Sequence, residues 1–228
     1  MARLVLWDID HTLIDTGGLG RELSAAAFHE VTGQVMKRQA KVDGITESVI
    51  FRETARLHGL TTDRSTFERF ARALTEQHLK RASDLRERGH ALAGAATALD
   101  ALAGDTALTQ SVVTGNVRAV AEIKLQVFGL DRHIRWDVGA YGQEHDERAD
   151  LVALALERAG VPAADTVLIG DTPADVDAGR QRGTRVIAVA TGRSDEADLR
   201  QAGADIVLPS LEDARLLAKL VRGLDDKA

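Results

Sequence analysis

Two aspartates directly follow a short apolar run near the start of the sequence. Residues 4–7 (Leu-Val-Leu-Trp) are typical of a buried strand, and Asp8 and Asp10 come after them, two positions apart. Carboxylates at the end of a buried strand are costly unless a cation compensates them, and their oxygens suit a hard divalent ion such as Mg²⁺. Taken alone, the two acids could instead start a turn or cap a helix.

A second pair of acids follows another apolar run later in the chain. Residues 166–170 are predicted to form a buried strand, Asp171 comes directly after it, and Asp175 lies four positions further on. If Asp171 ends the strand and Asp175 opens the next helix, both carboxylates can approach one cation. The alternative is that Asp175 is only a helix cap. Because parallel strands present their carboxyl ends along one edge, we expect these acids to meet Asp8 and Asp10.

A third strand, predicted over residues 107–113, is followed by Thr114, Gly115 and Asn116. Between a strand and a helix, backbone N–H groups and a hydroxyl can hold an anion, and phosphate is the best match. Lys124 lies inside the next predicted helix and would add positive charge if its helix face is turned to the site. A lone lysine on a helix is otherwise a solvated residue.

Composition narrows the possible classes of protein. With 228 residues, 44% of them hydrophobic, the chain is long enough for a core and a smaller insert. The absence of cysteine excludes disulfides, thiol chemistry and zinc–thiolate sites, and it fits a cytoplasmic location. A net charge of -6 without a basic stripe argues against nucleic acid. The first apolar run is too short for a signal peptide or a membrane span, so we expect a cytoplasmic monomer or homodimer with no membrane partner.

The order of the predicted elements indicates an α/β fold with a doubly wound, Rossmann-like parallel sheet. From residue 95 onward strands and helices alternate, whereas residues 21–88 have helical periodicity without a convincing strand. We therefore predict a core domain formed by residues 1–15 and 90–228, and an inserted α-helical cap domain formed by residues 16–89.

One loop of the predicted cap combines polar side chains with a glycine. It contains Gly44, Thr46 and Glu47. Such a segment is either an ordinary turn or a loop that faces the substrate, and we predict that these three residues influence substrate specificity.

Three segments resemble motifs of the haloacid dehalogenase-like hydrolase superfamily. Residues 8–12 (Asp-Ile-Asp-His-Thr) resemble motif I, residues 112–116 resemble motif II, and residues 170–179 resemble motif IV. Motifs I and IV together are specific, whereas motif II is weak alone. Because the motifs occur in order around a helical insert, the resemblance covers essentially the whole chain. It points to the phosphoglycolate phosphatase-like and β-phosphoglucomutase-like branch with a helical C1 cap.

The resemblance implies a phosphoric monoester hydrolase that uses Mg²⁺ and an aspartyl-phosphate intermediate to hydrolyse a small phosphorylated metabolite. Asp8 would attack phosphorus, and Asp10 would protonate the leaving oxygen and then activate water. The metal would be held by the Asp8 carboxylate, the Asp10 backbone carbonyl and Asp171, with Asp175 orienting these ligands. The phosphate would be bound by Thr114, Gly115, Asn116 and Lys124. Of these, Thr114 and Lys124 would also act in catalysis.

Two positions depart from the family pattern. His11 stands where relatives usually have glycine, and we interpret it as a tolerated surface substitution. Motif III, the basic residue that balances the nucleophile, is often a Lys-Pro pair, but residues 144–148 contain neither lysine nor proline. Some relatives carry this lysine in the helix after motif II, so Lys124 is the favoured residue and Arg148 the second choice.

Other functions share most of these residues. A β-phosphoglucomutase-like mutase would have the same core motifs and keep the phosphate on one sugar. A non-catalytic protein of the same fold would bind a phosphometabolite without turnover. A haloacid dehalogenase is disfavoured because a carboxylate at Asp10 marks the phosphatase branch. A phosphonate hydrolase would need a Schiff-base lysine, and no motif supports Lys37 or Lys41 in that role.

Overall fold

The computed structural model describes residues 3–223. Residues 1–2 and 224–228, which belong to the predicted core, lie outside the described residues. The strands of the described part are β1 (Arg3–Trp7), β2 (Ile14–Asp15), β3 (His90–Ala91), β4 (Leu108–Thr114), β5 (Ala140–Tyr141), β6 (Thr166–Gly170), β7 (Arg185–Val189) and β8 (Ile206–Leu208). Six of them form one sheet in the order β5-β4-β1-β6-β7-β8, and every neighbouring pair is parallel.

Ten α-helices accompany these strands within residues 3–223. They are α1 (Leu19–Thr32), α2 (Glu47–Leu57), α3 (Arg64–Lys80), α4 (Ala82–Arg88), α5 (Ala95–Ala103), α6 (Arg118–Val127), α7 (Arg148–Ala159), α8 (Pro173–Arg182), α9 (Glu196–Ala202) and α10 (Ala214–Arg222). The alternation of strands and helices after α4 confirms the predicted α/β fold with a doubly wound parallel sheet. None of the helices in the described part of the chain is both long and apolar enough to span a bilayer.

Strand β1 is central, and both of its faces are buried. Val5 and Trp7 join the apolar core that includes residues of α5, α6 and α10. Leu4 and Leu6 join the opposite core, which includes residues of α7 and α8. A strand covered on both faces needs apolar side chains at successive positions, which explains the continuous apolar run before Asp8.

Helices α1 to α4 share an apolar core of their own. Phe28, Phe51 and Phe70 are buried in it, and the rings of Phe51 and Phe70 stack with their centroids 4.4 Å apart. Val117 and Val120, next to and within α6, join the same cluster. The antiparallel pairing of β2 with β3 brings the two ends of this insert together. The insert, which covers the region predicted to be a cap, is therefore connected to the rest of the chain through two adjacent strands. Its action as a separate domain stays a prediction.

The segment around Trp136, which precedes β5, is mostly a turn. Only Ala140 and Tyr141 pair with β4. The Tyr141 hydroxyl donates a hydrogen bond of 2.6 Å to the Trp136 carbonyl, which folds the segment back on itself. Helix α7 follows this segment and begins at Arg148, with Glu147 as its N-cap.

Candidate active site

The carboxyl ends of three neighbouring strands form the edge on which the predicted site residues meet. Asp8 and Asp10 follow β1, Thr114 ends β4, and Asp171 follows β6. All four residues line one cavity of about 410 Å³, and residues of α1, α2 and α3 contribute to its wall. A cavity of this volume suits a small metabolite.

Three buried acids lie close enough to share a cation. Asp8, Asp171 and Asp175 each present an oxygen, and these atoms are within 4.8 Å of one another. Burial raises the pKa of Asp8 to about 7, with Arg148 opposing this rise and Asp175 adding to it. Burial and the neighbouring Asp8 raise the pKa of Asp171 to about 9. When ionised, the three acids carry more negative charge than Arg148 balances, so their oxygens and their charge both fit a hard divalent cation.

Arg148 is the cation in contact with Asp8. Its side chain is buried, with Nη2 2.6 Å from Asp8 Oδ1 and Nε 2.6 Å from Asp175 Oδ1. The Nε–H does not point along its short contact, so that contact is an ion pair rather than an aligned hydrogen bond. Arg148 is the first residue of α7, and its Nη2 also lies 3.4 Å from the Val113 carbonyl on β4. The contact with Asp8 is therefore made by Arg148, the second choice, and not by the preferred Lys124; the assignment of the motif III base stays a prediction.

Lys124 holds Asp10 instead. Its Nζ donates hydrogen bonds of 2.8 and 2.7 Å to the two Asp10 oxygens and one of 2.7 Å to Asn116 Oδ1. Asn116 Nδ2 donates to Asp10 Oδ2 at 2.7 Å and to Thr114 Oγ1 at 2.9 Å. Burial alone would raise the pKa of Asp10, but Lys124 and then Asn116 stabilise its carboxylate and lower the pKa overall.

These contacts change the expected phosphate-binding roles. The three protons of the Lys124 ammonium already go to Asp10 and Asn116, and the amide N–H groups of Asn116 go to Asp10 and Thr114, so neither side chain is free for a phosphate in this arrangement. Thr114 Oγ1 accepts from Asn116 and keeps its own hydroxyl proton available. Gly115 offers its backbone at the cavity wall.

Asp175 orients other groups with both of its oxygens. Oδ2 accepts hydrogen bonds from the Thr172 backbone N–H at 3.0 Å and the Thr172 hydroxyl at 2.6 Å, while Oδ1 faces Arg148. Thr172 is the N-cap of α8, so Asp175 belongs to a capping box as well as to the acid cluster. This arrangement favours Asp8 and Asp171 as direct metal ligands, with Asp175 behind them. Asp171 Oδ1 also accepts a hydrogen bond of 3.1 Å from Thr12.

The predicted specificity loop packs against the strand ends, but its residues differ in orientation. Gly44 and Glu47 line the cavity. The Glu47 backbone N–H donates a hydrogen bond of 2.8 Å to the Gly115 carbonyl. Burial raises the pKa of Glu47 to about 7, an effect that Lys124 partly offsets. Thr46 is fully buried outside the cavity lining, and its hydroxyl donates to the Asp146 carbonyl at 3.0 Å. The Thr46 side chain therefore anchors the loop instead of facing the cavity, and its predicted influence on substrate specificity stays a prediction.

Close packing makes glycine necessary at two of these positions. Gly44 has a φ of +70°, and an added Cβ would lie 2.4 Å from the Ala174 Cβ. An added Cβ on Gly115 would lie 2.3 Å from the Ile45 carbonyl oxygen. The loop and the strand ends therefore approach each other at backbone distance, which side chains would prevent.

The backbone of His11 has a conformation that explains why glycine suits this position. Its φ is 61°, in the left-handed region that glycine adopts without strain. The ring is half-buried, lines the cavity, and has Nδ1 3.9 Å from Asp15 Oδ2. His11 therefore lies at the edge of the cavity with part of its ring exposed, and its interpretation as a tolerated surface substitution stays a prediction.

Sequence reasoning missed three residues of this site. Gly192, after β7, packs so tightly on Asp171 that an added Cβ would lie 1.8 Å from Oδ2. Thr12 was seen only as part of motif I, without its bond to Asp171. His78 is buried on α3 and lines the cavity. Its position four residues after Leu74 continues the apolar stripe of α3, and that spacing was the available signal.

Comparison with known proteins extends the sequence resemblance. The haloacid dehalogenase-like hydrolase family matches residues 5–189 of the chain. A protein described as a candidate pyrophosphatase, PpaX, from Caldanaerobacter subterraneus subsp. tengcongensis is 27% identical, over 97% of this chain and 96% of its own length.

Solved structures are similar over nearly the whole chain. A candidate β-phosphoglucomutase from Bacteroides vulgatus has a TM-score of 0.67 and 18% identity, covering 98% of this chain and 90% of its own. A predicted phosphoglycolate phosphatase from Haemophilus somnus 129PT has a TM-score of 0.64 and 14% identity, covering 95% and 97%. At these identities the likeness shows the fold alone.

The family match covers most of the chain and includes the segments that resemble motifs I, II and IV. Together with the relative named as a pyrophosphatase, it supports a phosphatase activity. The chain belongs to the haloacid dehalogenase-like hydrolase family.

Proposed function

We propose that this protein is an Mg²⁺-dependent phosphatase that hydrolyses a small phosphorylated metabolite through an aspartyl-phosphate formed on Asp8. The observation that carries this proposal is the position of Asp8, a buried carboxylate at the base of a metabolite-sized cavity, next to Arg148 and Asp171. Family membership and the named relatives support the same reaction type.

Asp8 is the proposed nucleophile because one of its oxygens is held by Arg148 while the side chain faces the cavity. The Arg148 ion pair favours the ionised, nucleophilic form of Asp8 and opposes the effect of burial. Mg²⁺ would be held by Asp8, Asp171 and the Asp10 backbone, and when bound it supplies positive charge that offsets the repulsion between Asp8 and a phosphate group.

Asp10 is the proposed acid and base. In the second half of the reaction it would take a proton from the water that attacks phosphorus, and its ionised form is the one that Lys124 stabilises. In the first half it would give a proton to the leaving oxygen. This transfer leaves Asp10 as a carboxylate, which pairs with the Lys124 ammonium. Lys124 therefore positions Asp10 and stabilises the negative charge that Asp10 gains.

Charged residues at the cavity mouth suit a substrate with further polar groups. Arg21, Lys41 and Arg193 line the cavity and are exposed or half-exposed. Arg193 also pairs with Asp43 of the specificity loop at 3.0 Å. Because the PpaX relative is named as a pyrophosphatase, pyrophosphate belongs in the substrate panel beside phosphate monoesters.

The test is phosphate release from 4-nitrophenyl phosphate, from a panel of metabolite phosphates and from pyrophosphate, with Mg²⁺ and with excess chelator. We expect release with Mg²⁺, loss of release in chelator and no turnover by Asp8→Asn. Asp177→Asn is the matched control, because it is the same substitution on the exposed face of α8. Full activity in chelator, or turnover by Asp8→Asn at the rate of Asp177→Asn, would contradict the proposal.

A further inference from the structure

His78 is a buried residue with a hydrogen-bonding atom that no protein group satisfies. Its exposed fraction is 3%, and Nδ1 lies 2.8 Å from the Leu74 carbonyl one helical turn earlier. A carbonyl oxygen only accepts hydrogen bonds, so Nδ1 carries the proton and Nε2 presents a lone pair. No protein group within residues 3–223 donates to that Nε2. Buried acceptors normally have partners, so a ligand group is the candidate donor.

A second histidine of the insert shows the same arrangement completed. His58 Nδ1 lies 2.8 Å from the Thr54 carbonyl, again four residues earlier, and its Nε2 accepts a hydrogen bond of 2.9 Å from the Lys37 backbone N–H. The helical bond to Nδ1 is thus common to both rings. The difference is that Nε2 of His58 is used inside the fold, whereas His78 lines the active-site cavity.

The surroundings of His78 define which chemical group can be its partner. Lys124 is a neighbour, but its three N–H bonds already go to Asp10 and Asn116. Burial and then Lys124 lower the pKa of His78 to about 4, so the ring is neutral near pH 7 and Nε2 stays an acceptor. A carboxylate or a fully ionised phosphate cannot donate to it, and the positive charge of Lys124 disfavours an ammonium. A neutral hydroxyl fits.

The cavity around this ring suits the leaving group of a phosphate ester. Ser24 of α1 lines the same cavity and offers a hydroxyl group. Leu74, Ile50 and Val120 add apolar surface. Asp10, the proposed proton donor to the leaving oxygen, lines it too and acts on the pKa of His78. A leaving group that extends from Asp10 toward α3 therefore meets both apolar contacts and an acceptor.

We propose that His78 is a specificity-determining residue whose Nε2 accepts a hydrogen bond from a hydroxyl on the leaving group of the substrate. The inference rests on the proposed phosphatase function and narrows its substrates to phosphate esters of hydroxylated, polyol-like or sugar-like compounds. A site built around a buried acceptor discriminates against the analogue without the donor, since that analogue leaves the acceptor unpaired.

The test compares kcat/KM for hydroxylated esters and for their deoxy counterparts of equal carbon number, with glycerol 3-phosphate against propyl phosphate and ribitol 5-phosphate against pentyl phosphate. We expect the wild-type protein to prefer at least one hydroxylated ester by about tenfold or more. His78→Asn keeps an N–H for the Leu74 carbonyl but has no acceptor at the Nε2 position, so this preference should fall toward one. His58→Asn is the matched control and should keep the wild-type preference.

A third variant separates loss of the acceptor from damage to the fold. His78→Gln places a carbonyl oxygen near the Nε2 position and should keep more of the hydroxyl preference than His78→Asn, with thermal unfolding of each variant measured alongside. Wild-type turnover of 4-nitrophenyl phosphate without any hydroxyl preference, or an unchanged preference in His78→Asn, would overturn this inference and leave the phosphatase proposal standing. Absence of wild-type phosphate release from every ester would overturn both.

Discussion

Lys124 and Asp10 are 114 positions apart in the sequence, yet Nζ of Lys124 contacts both oxygens of the Asp10 carboxylate, at 2.8 and 2.7 Å. Arg148 makes the corresponding contact with Asp8 at 2.6 Å. Each acid of motif I therefore has its own cation, supplied by a different helix. This division separates the proposed nucleophile from the proposed acid and base, and it predicts different consequences for the loss of each cation.

Removal of Arg148 should be the more damaging change. In Arg148→Met the buried carboxylates of Asp8 and Asp175 lose their shared partner, so we expect the free energy of unfolding to fall by about 3–5 kcal/mol and turnover to be lost. Lys124→Met should slow turnover with a smaller loss of stability, because the Asp10 side chain is partly exposed. Urea denaturation and 4-nitrophenyl phosphate kinetics measure both effects.

The control for these variants is Arg200→Met. Arg200 pairs with Glu196 on the exposed surface of α9, where such pairs contribute about 0–1 kcal/mol. A Lys124→Met variant that is less stable than Arg148→Met would contradict the assignment of the two cations.

The convergence of the acids was predictable, whereas the choice of cation was not. Asp8 and Asp171 each follow a buried apolar strand, and parallel pairing is enough to bring strand ends together. The partner of Asp8 depends on where α7 begins and on how far its first side chain reaches across β4. Periodicity does not contain that information, and the family resemblance favoured Lys124 over Arg148.

Two residues of the specificity loop, Thr46 and Glu47, show the same limit of prediction from sequence. Thr46 and Glu47 are adjacent and polar, and sequence pattern treats them alike. In the folded chain Thr46 is the N-cap of α2 and bonds to Asp146, while Glu47 lines the cavity. The rotation of one residue at a helix start decides which side chain faces the cavity. His78 was not predicted as a site residue for the opposite reason. It lies in the apolar stripe of α3, where the sequence pattern indicates a core position.

Gly192→Ala should weaken the metal site. An added Cβ would lie 1.8 Å from Asp171 Oδ2, so the carboxylate or the loop after β7 has to move. We expect the Mg²⁺ concentration for half-maximal activity to rise and the free energy of unfolding to fall by about 1–3 kcal/mol. Gly104→Ala is the control, because its Cβ would meet no atom within 4 Å and its φ is -69°. Equal Mg²⁺ dependence in both variants would contradict this packing argument.

His78 should make the stability of the fold depend on pH. Burial and Lys124 lower its pKa from 6.5 to about 4, although the nearby Asp10 carboxylate acts in the opposite direction. Between those pH values the unfolded chain binds the proton more readily, so the free energy of unfolding decreases as the pH falls through this window. Chemical denaturation should show that the free energy of unfolding of His78→Asn rises relative to that of the wild type by on the order of 3 kcal/mol between pH 7 and pH 4. Parallel profiles for the two proteins would contradict the buried, neutral ring.

The central claim is that Asp8 carries the phosphoryl group during turnover. An acyl phosphate is reduced by borohydride to an alcohol, which converts the phosphorylated aspartate to homoserine. The measurement is peptide mass spectrometry after borohydride treatment of the enzyme turning over 4-nitrophenyl phosphate with Mg²⁺, in the wild type and in Asp10→Asn, where loss of the base should prolong the intermediate. The account predicts homoserine at position 8, more of it in Asp10→Asn and none in Asp8→Asn. Turnover with no homoserine at position 8, or with homoserine at position 171 instead, would contradict it.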